Sequence, residues 1–213
     1  MNVVVTGTSS GIGRAIAKRF LDEGHEVFGL DIAEAPFGRP GYHHLRCDIR
    51  SADLPDLPAP EVLVNNAGTL EEADAIEVNL TATMRLTERY VGSPALRSVL
   101  FIASASARNG AEFACYVASK AGIVGYMKNL ALKVAARGVT CNSISPGGVI
   151  TPANAHILDD EGLYEQVLAE TLLGKWVEAD EVADLAYFLT VRNRSITGED
   201  ILIDNGEMLK SNF

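Results

Sequence analysis

Cysteine is scarce and unpatterned: Cys47, Cys115 and Cys141 are odd in number, lie far apart and form no CxxC pair. This excludes a disulfide framework or thiolate zinc site and reads as buried thiols in a reducing compartment. No histidine accompanies Cys115 locally to activate it as a nucleophile. Positive charge is also in deficit, with 18 Lys and Arg against 28 Asp and Glu and a formal net charge of −10. That is the reverse of the basic stripe that binds a phosphate backbone, so no nucleic-acid partner is expected. No apolar run approaches the roughly 20 residues that span a membrane, and Met1 leads directly into a strand pattern without a leader. A cytoplasmic protein follows as the expectation. His43-His44 lack ligand-spaced carboxylates or thiols, and no metal site is expected. Repeats, linkers and low-complexity tracts are missing, and Trp176 and Met127 read as core or interface residues.

Against these absences, 47% hydrophobic content in 213 residues is enough to bury a sizeable core, and one domain over 1–213 is the simplest organisation. Runs suited to buried parallel strands recur at 2–6, 26–31, 43–47, 61–65, 97–103, 139–145 and 199–203. Helical patterns fall at 11–23, 72–91, 114–136, near 161–173 and at 179–190. The alternation predicts an α/β fold with a Rossmann-like, doubly wound parallel sheet of about seven strands. One crossover departs from it. Pro55, Pro58 and Pro60 lie between Asp48 and Glu61, and each removes a donor and biases its predecessor toward extended backbone, so a loop is expected there.

The first strand runs straight into Gly7-Thr8-Ser9-Ser10-Gly11-Ile12-Gly13 and then a helix. Glycines there let backbone N–H groups approach a pyrophosphate, and the helix start presents unpaired donors and a positive dipole end. Asp31 ends the second strand eighteen residues after Gly13, near the spacing of a ribose-binding acid. A carboxylate there accepts hydrogen bonds from ribose hydroxyls and repels a 2′-phosphate. Neither Thr8 to Ser10 nor Ile32-Ala33 offers a compensating cation, which predicts NAD(H) over NADP(H); the alternative is that Asp31 only caps a loop.

Polar residues cluster at the carboxyl ends of later strands, where such sheets bind ligands. After the fourth strand, Asn65-Asn66-Ala67-Gly68 can serve a ligand or simply a turn. After the fifth come Ser104 and Ser106, and twelve residues beyond Ser104 stands Tyr116 with Lys120 four later on the same helix face. A free phenol titrates near about 10, and a neighbouring ammonium favours the phenolate, so the pair makes sense as an acid/base unit. Ser104 can donate a hydrogen bond to a substrate oxygen held beside the Tyr116 hydroxyl.

Taken in order, Thr6 to Gly13, Asn65 to Gly68, Val78-Asn79-Leu80, Ile102-Ala103-Ser104, Tyr116 to Lys120 and Ser145 to Thr151 resemble the classical short-chain dehydrogenase/reductase family along essentially the whole chain. The resemblance implies an NAD(P)-dependent oxidoreductase acting on a small alcohol or ketone. It implies Tyr116 as catalytic acid/base, Lys120 as the residue that lowers its pKa and binds ribose, Ser104 as polariser of the substrate and Asn79 as holder of a relay water. It further implies cofactor contacts from Gly7, Ser9, Ser10, Gly11, Ile12, Gly13 and Asp31, from Asp48 and Ile49 at the adenine, from Asn66, Ala67 and Gly68, and from Tyr116 and Lys120. Pro146, Gly147, Val149 and Thr151 would close the nicotinamide side. A homodimer or homotetramer through helices 72–91 and 114–136 is expected on the same ground. The chain departs from the family in the single serine before Ala105, the short 69–78 interval and the loop-like 49–60 connection. A silent NAD(H)-binding regulatory or scaffold protein is the alternative, though it would be expected to have lost one of the four catalytic residues. A sugar-nucleotide epimerase is disfavoured by the glycine spacing and the short C-terminal region. The substrate wall is expected from Arg108 to Phe113 and from a lid at 151–175 that includes Asn154, His156 and Leu158.

Overall fold

The computed structural model describes residues 1–209. Nine strands occur there: β1 (Asn2–Thr6), β2 (Glu26–Asp31), β3 (Tyr42–Arg46), β4 (Val62–Asn65), β5 (Ser98–Ile102), β6 (Thr140–Pro146), β7 (Val149–Ile150), β8 (Val177–Glu178) and β9 (Asp200–Ile203). Seven form one sheet in the order β3-β2-β1-β4-β5-β6-β9, and every neighbouring pair is parallel. The small β7-β8 ladder stands apart and was not visible in the sequence pattern. The helices are α1 (Gly11–Asp22), α2 (Thr83–Tyr90), α3 (Ser106–Asn109), α4 (Ala114–Val134), α5 (Ala155–Leu158), α6 (Glu161–Ala169) and α7 (Ala179–Tyr187).

A parallel sheet needs cover on both faces, and alternate strand residues divide between two cores. Val3, Val5, Val27, Val62 and Val64 pack with Ile16 and Phe20 of α1 and Val182 and Ala186 of α7. On the other face Val4, Leu63, Val99 and Phe101 pack with Leu86 of α2 and Ile123, Met127 and Leu130 of α4. Met127 and Trp176 are buried as expected; of the cysteines only Cys141 is, while Cys47 and Cys115 are half-buried. No helix among the described residues is long and apolar enough to cross a membrane.

The proline-rich crossover is irregular, as its composition requires. It still covers the sheet: Leu54 and Leu57 lie on the second core beside Phe28 and Leu45, and the Tyr90 hydroxyl donates to the Pro55 carbonyl at 2.6 Å. The β2–β3 connection also lacks a helix. The helix expected from 72 begins later, as a wide π-helical stretch, Ile76–Ala82, that runs into α2. After β3 the chain passes to the far side of β1, so strand order reverses between β1 and β4, where a doubly wound sheet opens its ligand crevice.

Candidate active site

At that reversal lies a cleft of about 640 Å³. Its floor is the glycine turn. Gly7 has φ +73° and donates its N–H to the Leu30 carbonyl at 2.8 Å, a conformation open to glycine at no steric cost. At Gly13 a Cβ would overlap the Gly7 carbonyl oxygen and the Asn66 amide, so only glycine lets α1 start this close to β1. Asn66 donates its side-chain amide to the carbonyls of Thr6 (3.0 Å) and Gly7 (3.2 Å). The N–H groups of Asn66 and Ala67 both reach Thr6 Oγ1. Asn66 and Ala67 thus clamp the turn as well as lining the cleft with Gly68.

Ser10 is the extended N-cap residue of α1 and makes no side-chain cap, so no cap side chain engages the helix's first N–H groups. Ser10, Gly11 and Ile12 line the cleft at this end. That donor set fits the pyrophosphate of a dinucleotide. Gly13 and Ser9 do not line the cleft; Ser9 instead donates N–H to Asp31 Oδ2 (2.9 Å) and Oγ to the Glu34 carbonyl (2.8 Å). Asp31 accepts a second N–H from Ala33 on Oδ1 (2.9 Å) and lines the cleft with Asp48 and Ile49. Hence Asp31 both caps the loop and faces the site, and the two readings of it are compatible.

Arg50, which sequence reasoning missed, also lines this end. Its backbone N–H and guanidinium hold the Asp48 carboxylate at 2.8–3.1 Å, and these hydrogen bonds keep Asp48 below the usual carboxylate range. The Asp48-Ile49-Arg50 spacing, opposite charges with one residue between them just after a strand, is the available signal.

Ser104, Tyr116 and Lys120 share the opposite wall. β5 ends just before Ser104, and α4 brings Tyr116 and Lys120 alongside, with Lys120 Nζ 5.6 Å from the Tyr116 ring centre. Lys120 is buried, donates to the Ile102 carbonyl at 2.9 Å and is pushed down by burial from an ordinary 10.5 to about 8. The phenol of Tyr116 is pushed up by burial, opposed by a hydrogen bond with Ser104 and reinforced by the Glu112 carboxylate. Burial sets this direction, and Lys120 is not among the groups that shift the phenol here.

Asn79 is buried behind this wall. Its amide oxygen accepts from Thr69 N–H (2.8 Å), and its amide nitrogen donates to the Thr69 carbonyl (3.0 Å) and Ser119 Oγ (3.1 Å). The side chain fixes the 69–79 turn and does not line the cleft. Pro146, Gly147, Val149 and Thr151 line the remaining side, together with Pro152, Ala153 and Asn154. The Asn154 amide donates to the Val149 carbonyl at 2.8 Å. Arg108 to Phe113, His156 and Leu158, expected in the substrate wall, do not line the cleft; Arg108 is drawn into an ion pair with Asp200 at 2.7 Å. Thr69, Leu70 and Asp74, from the shortened segment, form a rim that the sequence did not indicate.

The family model described as Enoyl-(Acyl carrier protein) reductase matches residues 7–207. The 3-oxoacyl-(acyl-carrier-protein) reductase FabG of Salmonella typhimurium is 29% identical over 242 residues, covering 95% of each chain. Among solved structures, a 4-hydroxyisoleucine dehydrogenase complexed with NADH is 25% identical with a TM-score of 0.87, covering 99% of each chain. An Agrobacterium tumefaciens dehydrogenase with bound NADP has the same identity of 25% and TM-score of 0.87, covering 98% of this chain and 96% of its own. Fold, motif order and full-length similarity agree: the chain belongs to the classical short-chain dehydrogenase/reductase family of oxidoreductases.

Proposed function

We propose that the protein is an NAD(H)-dependent oxidoreductase that interconverts a secondary alcohol and a ketone, with Tyr116 as the acid/base. The observation that carries this reading is a single cleft with the α1 donor turn at one end and the Ser104, Tyr116 and Lys120 group on its wall. When bound, the nicotinamide supplies or takes up the hydride. In reduction Tyr116 gives its phenolic proton to the ketone oxygen, which Ser104 holds by a donated hydrogen bond. In oxidation the alcohol proton passes to Tyr116 oxygen. Lys120 supports the charge from beneath and offers its ammonium to the ribose, while the 151–175 segment acts as lid. A panel of ketones and alcohols followed by NADH absorbance tests the reading; no turnover of any member would favour a silent NAD(H)-binding protein.

Because burial raises the Tyr116 phenol, the protonated form prevails at neutral pH. Reduction uses that form and oxidation its conjugate base. We expect kcat/KM for alcohol oxidation to climb with alkaline pH, and kcat/KM for ketone reduction to fall over the same range. Matched pH profiles in both directions check this, and parallel profiles would contradict it.

NAD(H) preference rests on Asp31. Arg46, opposite it in register on β3, is engaged by the Glu34 carboxylate (2.9 Å) and the Ile32 carbonyl (3.0 Å). Arg50, which lines the same end, is held by the Asp48 carboxylate, so neither arginine stands free for a 2′-phosphate. Asp31→Ser should reduce kcat/KM for NADH about tenfold, the value of one lost charged hydrogen bond, and narrow the gap to NADPH. A wild type that prefers NADPH would overturn the preference. Assembly into a homodimer or homotetramer through α2 and α4 belongs to the same proposal; Leu132 on α4 is 80% exposed.

A further inference from the structure

The hydroxyl of Ser104 accepts two hydrogen bonds, from Ser106 N–H at 3.2 Å and from Ser106 Oγ at 2.8 Å. A hydroxyl oxygen has two lone pairs and carries one proton. Both acceptor positions of Ser104 are therefore filled, and only its proton remains to be given. Ser104 lines the same cleft as Tyr116, whose phenol it draws down against the effect of burial.

Ser106 is held as firmly as its role would need. It is 4% exposed and opens α3, a helix of only four residues. Such a short helix depends on outside anchors, and Arg108 supplies one. Its Nε and Nη2 reach Asp200 Oδ2 at 2.9 and 2.7 Å. Asp200 Oδ1 in turn accepts from Ser143 Oγ (2.7 Å) and Ser145 Oγ (2.8 Å) of β6. The carboxylate is thus satisfied on both oxygens, and α3 is fastened to β6 and β9.

We infer that Ser106 is a positioning residue that locks the Ser104 hydroxyl as a pure hydrogen-bond donor toward the substrate oxygen, and that the Arg108–Asp200 pair holds Ser106 in place. This rests on the oxidoreductase reading above. It has a chemical consequence for the direction of proton flow. During oxidation the alcohol oxygen accepts from Ser104, and its proton can leave only to Tyr116 oxygen; Ser104 has no free lone pair to receive it. During reduction the ketone oxygen takes a hydrogen bond from Ser104 and the proton from Tyr116.

The test compares Ser106→Ala, Ser106→Thr, Ser104→Ala and the double alanine variant, with NADH affinity measured for each. Ser106→Ala should lose about tenfold in kcat at unchanged NADH affinity, the value of one hydrogen bond felt at the transition state. Its oxidation profile should shift to higher pH, since the phenolate loses support. The charged groups about Tyr116, Lys120 and Glu112, are untouched by the change. Ser106→Thr, which keeps the hydroxyl, should recover most of the rate. In the Ser104→Ala background the second substitution should add nothing further. Wild-type kcat and pH profile in Ser106→Ala, or additive losses in the double variant, would overturn the proposal while leaving the oxidoreductase reading intact. A wild type that turns over no alcohol or ketone would overturn both.

Discussion

Tyr116→Phe keeps its fold and its NADH affinity but loses on the order of a thousandfold in kcat, in both directions. The substitution removes one oxygen from a half-buried ring on α4 and leaves the helix, Lys120 and the glycine turn untouched. No other group on that wall can replace the lost proton. Ser104 has its acceptor positions filled by Ser106 and cannot take the alcohol proton, its own proton is far less acidic than a phenol's, and Lys120 donates to the Ile102 carbonyl from a buried position. A water-borne proton would have to enter beside the substrate oxygen, without the positioned phenol that makes transfer fast. Steady-state rates with the best alcohol and ketone, beside an NADH titration of the same variant, check the outcome. Loss of NADH affinity in proportion to rate would instead place Tyr116 among the binding groups alone.

Gly13→Val weakens NADH binding on the order of a hundredfold and lowers the melting temperature. A Cβ at this position meets the Gly7 carbonyl and the Asn66 amide, and neither is the free end of a flexible chain. Asn66 is tied to Thr6 and Gly7 by its side chain, so it cannot swing aside without loosening the glycine turn. Overpacking of this kind costs about 1–3 kcal/mol. The larger effect falls on the site, because displacing the α1 donors by an ångström misplaces the pyrophosphate and everything beyond it. Gly125→Ala is the matching control: no atom lies within 4 Å of a Cβ there, and the helix interior favours alanine. Thermal melts and NADH titrations of both variants separate a local packing effect from a general intolerance of glycine replacement.

Where residues speak through local spacing, the sequence reading and the structure agree. Val3-Val4-Val5 and Val62-Leu63-Val64 are too apolar for anything but a doubly covered strand, and their parallel pairing follows from the helices between them. Prolines 55, 58 and 60 block a helix by their own covalent geometry, so that loop was legible before any contact was known. Tyr116 and Lys120 sit four apart on a helix, and the cleft wall brings Ser104 to them. Long-range partners were less visible. Spacing alone puts Arg108 in the substrate wall, yet Asp200, far along the chain, captures its guanidinium. Burial of the phenol sets the direction of the Tyr116 shift, and Lys120 finds the Ile102 carbonyl; spacing reports neither. The family resemblance implies a relay role for Asn79, while its side chain is taken up by Thr69 and Ser119 in a π-helical stretch that no periodicity announces. Its expected part in a proton relay would have to run through other atoms of that stretch.

The pairing of nucleotide cleft and proton wall is tested most directly by following an isotope through one turnover. NADH carrying deuterium at the transferring position is mixed with excess enzyme and the best ketone of the panel, and the alcohol is analysed by mass spectrometry and NMR. The account predicts deuterium on the carbinol carbon, placed on a single face, in the wild type, and none above background in Tyr116→Phe on the same timescale. Alcohol formed without the label on that carbon, or with equal label on both faces, would contradict it.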